Sequence, residues 1–178
     1  MIRIAIDRGW HVRLSGAFEL EMNADSAWRS LRDFRRFACQ DMFHSSVRLE
    51  TSEPRTGSSL ILDHRLLGIG FVRAGRILHW REGRSYAFSD LSCRDPRKGF
   101  PHVYIYSLIP IDDSNCRFRL EVRGRWTARF LGRALTRSWL AWIMLKTTQS
   151  IRNALMSDEL ERRRANREGA LPASPAHS

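Results

Sequence analysis

The sequence predicts an α+β fold: a curved antiparallel sheet wrapped around one long C-terminal helix, with two short helices after the first strand. Three observations lead there. Residues 46–126 carry strand-like runs separated by turn residues every ~8–12 positions, the spacing of an antiparallel meander. Residues 127–164 contain no proline and a single glycine, Gly132, and their apolar residues recur at helical spacing. Between the first strand and the meander, Asn23-Ala24-Asp25-Ser26 supplies helix-capping side chains.

Residues 1–10 precede the first clear pattern and read as a short strand or an N-terminal arm. From His11 to Met22 the chain alternates. Val12, Leu14, Phe18, Leu20 and Met22 face one way and Arg13, Ser15, Glu19 and Glu21 the other, as in a half-buried strand. Ala27, Trp28 and Leu31 form the apolar face of a short helix, and Asp33 ends it before a second piece from Phe34 to Cys39. Strands are predicted at Ser46–Glu53, Ser59–Leu67, Phe71–Arg81, Arg84–Cys93, Val103–Ile111 and Cys116–Trp126. Turns fall at Pro54–Gly57, around Gly68 and Gly70, at Glu82-Gly83, in a loop from Arg94 to Gly99, and at Asp112–Asn115. In the last strand Phe118, Leu120 and Val122 face inward, and Arg117, Arg119, Arg123 and Arg125 face outward. One amphipathic helix is predicted from Thr127 to about Arg164, with Leu131, Leu135, Trp139, Trp142, Leu145, Ile151 and Leu155 as its apolar stripe. The domain reading is an arm at 1–10, one ligand-binding domain at 11–160, and a basic, then Pro/Ala-rich, disordered tail at 161–178.

At 178 residues the chain suits one domain and can bury a core without metals or disulfides. Its 43% hydrophobic and 28% charged content excludes wholesale disorder. No apolar run reaches the ~18–20 residues of a membrane span, and Met1 to Trp10 lacks the apolar core of a secretory signal. Cys39, Cys93 and Cys116 are odd in number and widely spaced, which suits reduced thiols in a cytoplasm better than a disulfide framework. The net charge is +11, and residues 117–167 hold thirteen basic against four acidic residues, so the positive field belongs to the last strand and the long helix. Those arginines are either a solvated face or a surface for phosphates, whether of lipid headgroups or of nucleic acid.

The order of elements, together with particular residues, resembles the START-like superfamily (the SRPBCC group, including polyketide cyclase/dehydrase and lipid-transport proteins). The stretch Phe18-Glu19-Leu20-Glu21-Met22-Asn23-Ala24-Asp25-Ser26-Ala27-Trp28 resembles that family's first strand, cap and first helix. Leu31-Arg32-Asp33-Phe34 resembles the end of that helix, Gly57 the glycine opening the third strand, and Arg76-Ile77 the fourth strand. Tyr106-Ser107-Leu108-Ile109-Pro110 resembles a later strand end. The resemblance covers about residues 11–160. It implies a helix-grip fold with an internal cavity between sheet and helix. Two departures stand out: Met42-Phe43 where the family often has a tryptophan, and the extension from Glu161 to Ser178.

Motifs for other chemistries are missing. The six histidines and three cysteines show no metal-ligand spacing, so no metal and no cofactor are expected. Gly68-Ile69-Gly70 lies between two strands rather than before a helix, which excludes a nucleotide loop. What remains is a polar set on the predicted inward faces: His64 with Leu60 and Leu62, Arg73 and His79 with Ile77, Asp90 with Tyr86 and Phe88, and Tyr104 and Tyr106 with Leu108. A bulge would flip any of these facings. Trp139 and Trp142 are candidates for lining the pocket from the helix, or for plain core packing. His, Arg, Asp and Tyr around an apolar cavity can polarise a carbonyl and move a proton, anchor the polar head of a ligand, or pair structurally. Arg125, Arg129, Arg133 and Arg137, at four-residue spacing, are the candidates for an anionic surface.

The expected function is binding or transport of a hydrophobic small molecule (lipid, quinone or polyketide-like), with an anionic membrane as a further partner. The alternatives are a polyketide cyclase/aromatase-like enzyme and, less favoured, a ribosome- or RNA-associated protein.

Overall fold

The computed structural model describes residues 1–66, 69–90, 101–127 and 129–169. Its strands are β1 (Ile2–Ile6), β2 (His11–Leu20), β3 (His44–Leu49), β4 (Ser59–Leu66), β5 (Ile69–Arg81), β6 (Ser85–Ser89), β7 (His102–Pro110) and β8 (Cys116–Arg125). They form one antiparallel sheet in the order β1-β2-β8-β7-β6-β5-β4-β3. The first strand therefore pairs with the last of the meander, and the sheet encloses one concave face. Residues 2–6 are more than an arm: Ile2 lies opposite Gly16 and Ile6 opposite Val12, making β1 an edge strand.

The two short helices, α1 (Ala24–Leu31) and α2 (Phe34–Ala38), form where the capping residues ask for them. Asn23 Oδ1 accepts the Ser26 N–H at 2.8 Å, and Asp33 Oδ1 accepts the Arg36 N–H at 3.3 Å. Ala27, Leu31, Phe34, Phe37 and Ala38 are buried beneath them. α1 packs toward β7 and β8, and α2 toward β3.

The long helix, α3 (Arg133–Gly169), starts six residues later than expected and runs further. Gly132, at φ 70°, holds the left-handed conformation that a helix interior does not accept, and a 3-10 turn (Arg129–Leu131) precedes it. The helix covers residues 161–169 of the expected tail, and 170–178 lie outside the described residues. Its inward stripe is Thr136, Leu140, Ile143, Met144, Thr147, Thr148, Ile151 and Leu155. Leu135, Trp142 and Leu145, expected to face the core, point to solvent. The reason is local. α3 lies close over β1 and β2, so that a Cβ on Gly16 would collide with the Thr148 methyl. Such an approach demands small residues, and Thr148 satisfies its hydroxyl on the Met144 carbonyl at 2.8 Å. Three positions of the inward face therefore read polar in sequence, and several of the outward face read apolar.

Candidate functional site

The sheet register decides which side chains share the concave face. On β6 and β7, Tyr86 lies opposite Tyr106 and Phe88 opposite Tyr104. Those rings stack at 4.7 and 5.1 Å, and Phe34 of α2 meets Tyr86 and Phe88 edge-on. The Tyr106 hydroxyl donates to the Phe37 carbonyl at 3.3 Å, whereas the buried Tyr86 hydroxyl has no hydrogen-bond partner among the described residues.

One inward step along the same strands, the chemistry changes. His44 lies directly opposite His64 across β3 and β4. Asp90 follows β6 beside His102, with the Asp90 N–H donating to the His102 carbonyl at 3.1 Å and the His102 N–H donating to Asp90 Oδ1 at 2.8 Å. Arg73 reaches over from β5 and donates to Asp90 Oδ2 at 2.8 Å. His64 Nε2 stands 3.2 Å from Asp90 Oδ2, and His102 Nδ1 stands 3.2 Å from Asp90 Oδ1. Asp41, in the connection after α2, places Oδ2 2.6 Å from His44 Nδ1, which also lies 3.1 Å from the Ala38 carbonyl. Every one of these residues is buried; Asp90 is 0% exposed and His44 3%.

Buried charge of this density is costly unless it is paired, and here it is paired. Burial works against the Asp41 carboxylate, but the His44 charge and hydrogen bonds from His44 and Tyr104 hold its pKa well below the ordinary range. Burial likewise opposes the His44 imidazolium, but the Asp41 charge outweighs it and raises the pKa. Asp90 is held low against its own desolvation by His102, His64 and Arg73. Burial, then the Asp41 charge, pushes the Tyr104 hydroxyl far above its usual pKa, so it acts as a neutral donor. The ensemble offers a fixed cation, two carboxylates, three imidazoles and a phenol, enough to orient a polar group or to shuttle a proton. His44, His64, Asp90 and His102 each present one ligand atom, all within 4.8 Å of one another, so they are also the residues that could hold a metal ion.

Of the residues read from sequence, His64, Arg73, Asp90, Tyr104 and Tyr106 do share the concave face. His79 does not. A register shift between Ile77 and His79 flips the strand, exposing Leu78 and His79 and turning Trp80 inward against Trp28, Phe34 and Tyr86. His79 binds only at the surface, its Nε2 3.1 Å from Ser85 Oγ. Trp142 is 46% exposed and does not line the interior. Trp139 is half-buried, meeting Trp126 at 5.3 Å and Phe43 at 6.3 Å, beside the start of β3 and His44.

The arginine stripe is not one helix face. Arg125 ends β8, Arg129 sits in the 3-10 turn, and Arg133 opens α3 one turn before Arg137. All four are exposed, but Arg133 is tied to the N-terminal strand pair, donating to the Arg8 carbonyl at 3.1 Å over the Trp10 ring.

Three members of the cluster escaped the sequence reading. His44 and Val47 both face inward because the register shifts between His44 and Ser46. Simple alternation from Val47 puts His44 outside. Asp41 lies in an irregular connection with no periodicity to read. His102 shares the parity of Tyr104 and Tyr106, so extending that strand by one residue finds it.

No model of a known protein family matches this sequence, and no curated protein matches it. Solved structures do. The ZhuI aromatase/cyclase from Streptomyces sp. R1128 superposes with a TM-score of 0.60 at 17% identity, covering 86% of this chain and 95% of that one. A START superfamily protein from Mycobacterium smegmatis gives 0.63 at 11% identity, covering 82% and 97%. Norcoclaurine synthase from Thalictrum flavum gives 0.59 at 10% identity, covering 85% and 87%. At these identities the likeness is one of fold, and it agrees with the sheet order, the paired short helices and the long closing helix: the chain has a helix-grip fold, like these structures.

Proposed function

We propose that the protein binds a small, mainly apolar molecule inside the helix grip, with the molecule's polar end held by Arg73, His64, His102 and Tyr104. The observation that carries this reading is the ring of buried, charged side chains at one end of an otherwise aromatic and aliphatic concave face. A closed core gains nothing from such a ring, since apolar packing of equal volume is as stable or more so. The half-buried Phe43 and Trp139, packed with the buried Trp126, give a ligand an aromatic approach to that end. The test is native mass spectrometry of the protein purified without detergent, followed by extraction of whatever is released. A stoichiometric apolar molecule supports the reading. A protein that purifies empty and takes up neither fluorescent lipid nor flat aromatic probes overturns it.

The surface of α3 supports a place of exchange. Leu135, Trp142 and Leu145 lie on one exposed side of the helix, near Phe130, which is 88% exposed. Lys146 is exposed on the same side and Arg129 is exposed beside Phe130, whereas Arg137 is exposed on the side of the helix next to β1. An apolar strip edged with cations suits an anionic membrane surface better than RNA, which calls for stacking platforms beside phosphate contacts. Co-sedimentation with anionic but not zwitterionic vesicles, lost in Trp142→Ala and in the Arg129→Gln/Lys146→Gln double variant, is the expected result.

A second reading, a cyclase- or dehydratase-like enzyme, is favoured by one observation: Arg73 and His64 converge on the same Asp90 oxygen, beside Tyr104, a neutral phenol. That set can polarise a carbonyl and move a proton beside it. An enzyme loses turnover in His64→Gln while retaining ligand, whereas a carrier shows no turnover to lose.

A further inference from the structure

We propose that His44, His64, Asp90 and His102 form a binding site for a single divalent first-row transition-metal ion of the zinc type, with Asp41 as the residue that orients His44. The inference goes beyond ligand binding in the grip and does not rest on it.

Four features of the geometry carry it. The first is convergence: one ligand atom from each of the four residues falls within 4.8 Å of the others, although the residues come from β3, β4, β7 and the end of β6. The second is spacing. Around a tetrahedral zinc with ligands at about 2.0–2.1 Å, neighbouring ligand atoms stand about 3.3 Å apart. His64 Nε2 to Asp90 Oδ2 and His102 Nδ1 to Asp90 Oδ1 are both 3.2 Å. They run to the two oxygens of Asp90, so each histidine stands at ligand spacing from the carboxylate, one from each oxygen. The third is the outer contact that metal-binding imidazoles make. His44 turns Nδ1 to Asp41 Oδ2 at 2.6 Å, and His64 Nδ1 lies 3.3 Å from the Leu62 carbonyl. A carboxylate or carbonyl on one ring nitrogen fixes the ring and raises the basicity of the other. The fourth is that His44 Nε2, on a residue 3% exposed, has no hydrogen-bond partner among the described residues, although a buried polar atom ordinarily has one. It is the nitrogen left over once Asp41 and Ala38 have taken the other.

The charge around the site agrees. With neutral imidazoles, the described residues supply two carboxylates, Asp41 and Asp90, against one guanidinium, Arg73. Counted over those residues, the carboxylates outnumber the guanidinium by one. Arg73 does not compete for the metal position, because a carboxylate has lone pairs for a guanidinium and a metal together. Three imidazoles and one carboxylate suit zinc and its first-row neighbours and disfavour magnesium and calcium, which take all-oxygen sets.

The test uses the full chain, stripped with a chelator, dialysed and titrated with Zn²⁺ by calorimetry and with Co²⁺ by absorption. The expected result is one ion per chain, the intense visible bands of four-coordinate Co²⁺ with nitrogen ligands, and a melting temperature that rises with free metal. His64→Gln and His102→Gln abolish stoichiometric binding. Asp41→Asn weakens it about 10- to 100-fold, the range for an orienting partner. His11→Ala, which removes the exposed His11–Asp7 pair at the surface, leaves binding unchanged. Absence of uptake overturns the proposal, as does binding that survives both histidine substitutions or disappears in His11→Ala. Should the histidine variants fail to fold, the Co²⁺ spectrum of the unaltered chain decides: weak bands of a six-coordinate, oxygen-rich site overturn the assignment.

Discussion

On β6 and β7, Phe88 and Tyr104 stack at 5.1 Å, and one inward step further along the same strands Asp90 and His102 meet in a ring of charge. The strands, the side-chain parity and the burial are shared. At the aromatic end, Trp28, Phe34, Trp80, Tyr86 and Tyr106 fill space with rings in stacked or edge-on contact, and stability follows from area removed from water. At the polar end, each charge lowers the cost of the next, and the arrangement holds only while every member keeps its partners. The aromatic end accounts for the fold. The polar end calls for a functional explanation, since a helix grip closes just as well over apolar side chains.

Substitutions at the two ends separate these roles. Phe88→Ala opens a void in the aromatic end and is expected to cost about 3–5 kcal/mol in denaturant melts. Asp90→Ala is expected to cost a similar ~3–5 kcal/mol for a different reason: it removes the carboxylate that pairs with the buried Arg73 guanidinium. A small loss in either case contradicts the assignment of that end. The long helix gives the next contrast. Leu140→Ala, on the buried stripe, is expected to cost about 2–5 kcal/mol, and Trp142→Ala, two residues further on and facing solvent, no more than about 0.5 kcal/mol. If Trp142→Ala destabilises the fold as strongly as Leu140→Ala, its outward facing is wrong.

The smallest effect lies on the outer face of the sheet. Burial opposes the Glu121 carboxylate, but hydrogen bonds from Arg123 and Arg13 and their charges lower its pKa. A carboxylate lowered on folding contributes stability above its unfolded pKa and loses it as pH falls through the folded one. Glu121→Gln is therefore expected to be less stable than the natural chain at neutral pH. The gap should close as pH drops below the ordinary glutamate value of 4.5. A gap that stays constant with pH contradicts the ionic origin.

The order of elements along the chain and the two capped helices were legible because their signals are local: Asn23 and Asp33 cap where a cap is needed, and Asp112 to Asn115 close a hairpin. The site was half legible. Parity from Leu62, Phe88 and Tyr106 leads to His64, Asp90 and Tyr104. Two bulges defeated the rest, one turning His79 out of the interior and the other turning His44 into it. A bulge inserts one residue without any residue type that announces it, so alternation alone carries the wrong face past it. The helix stripe failed for another reason. Thr136, Thr147 and Thr148 are polar by type but inward by necessity where α3 rides close over Gly16. Histidines far apart in sequence gave no metal spacing, and only the register of β3 with β4 and of β6 with β7 brought three of them together.

The claim that the polar end serves binding rather than stability is tested most directly by replacing its charges with apolar groups of matched size. His64→Leu, Arg73→Met and Asp90→Leu, combined in one chain, are to be compared with the natural protein in denaturant melts and in native mass spectrometry. The expected variant is as stable as the natural chain or more so, by up to about 4 kcal/mol, and carries neither ligand nor metal. A variant that loses several kcal/mol of stability yet still binds both would contradict the claim and make the cluster a structural element of the core.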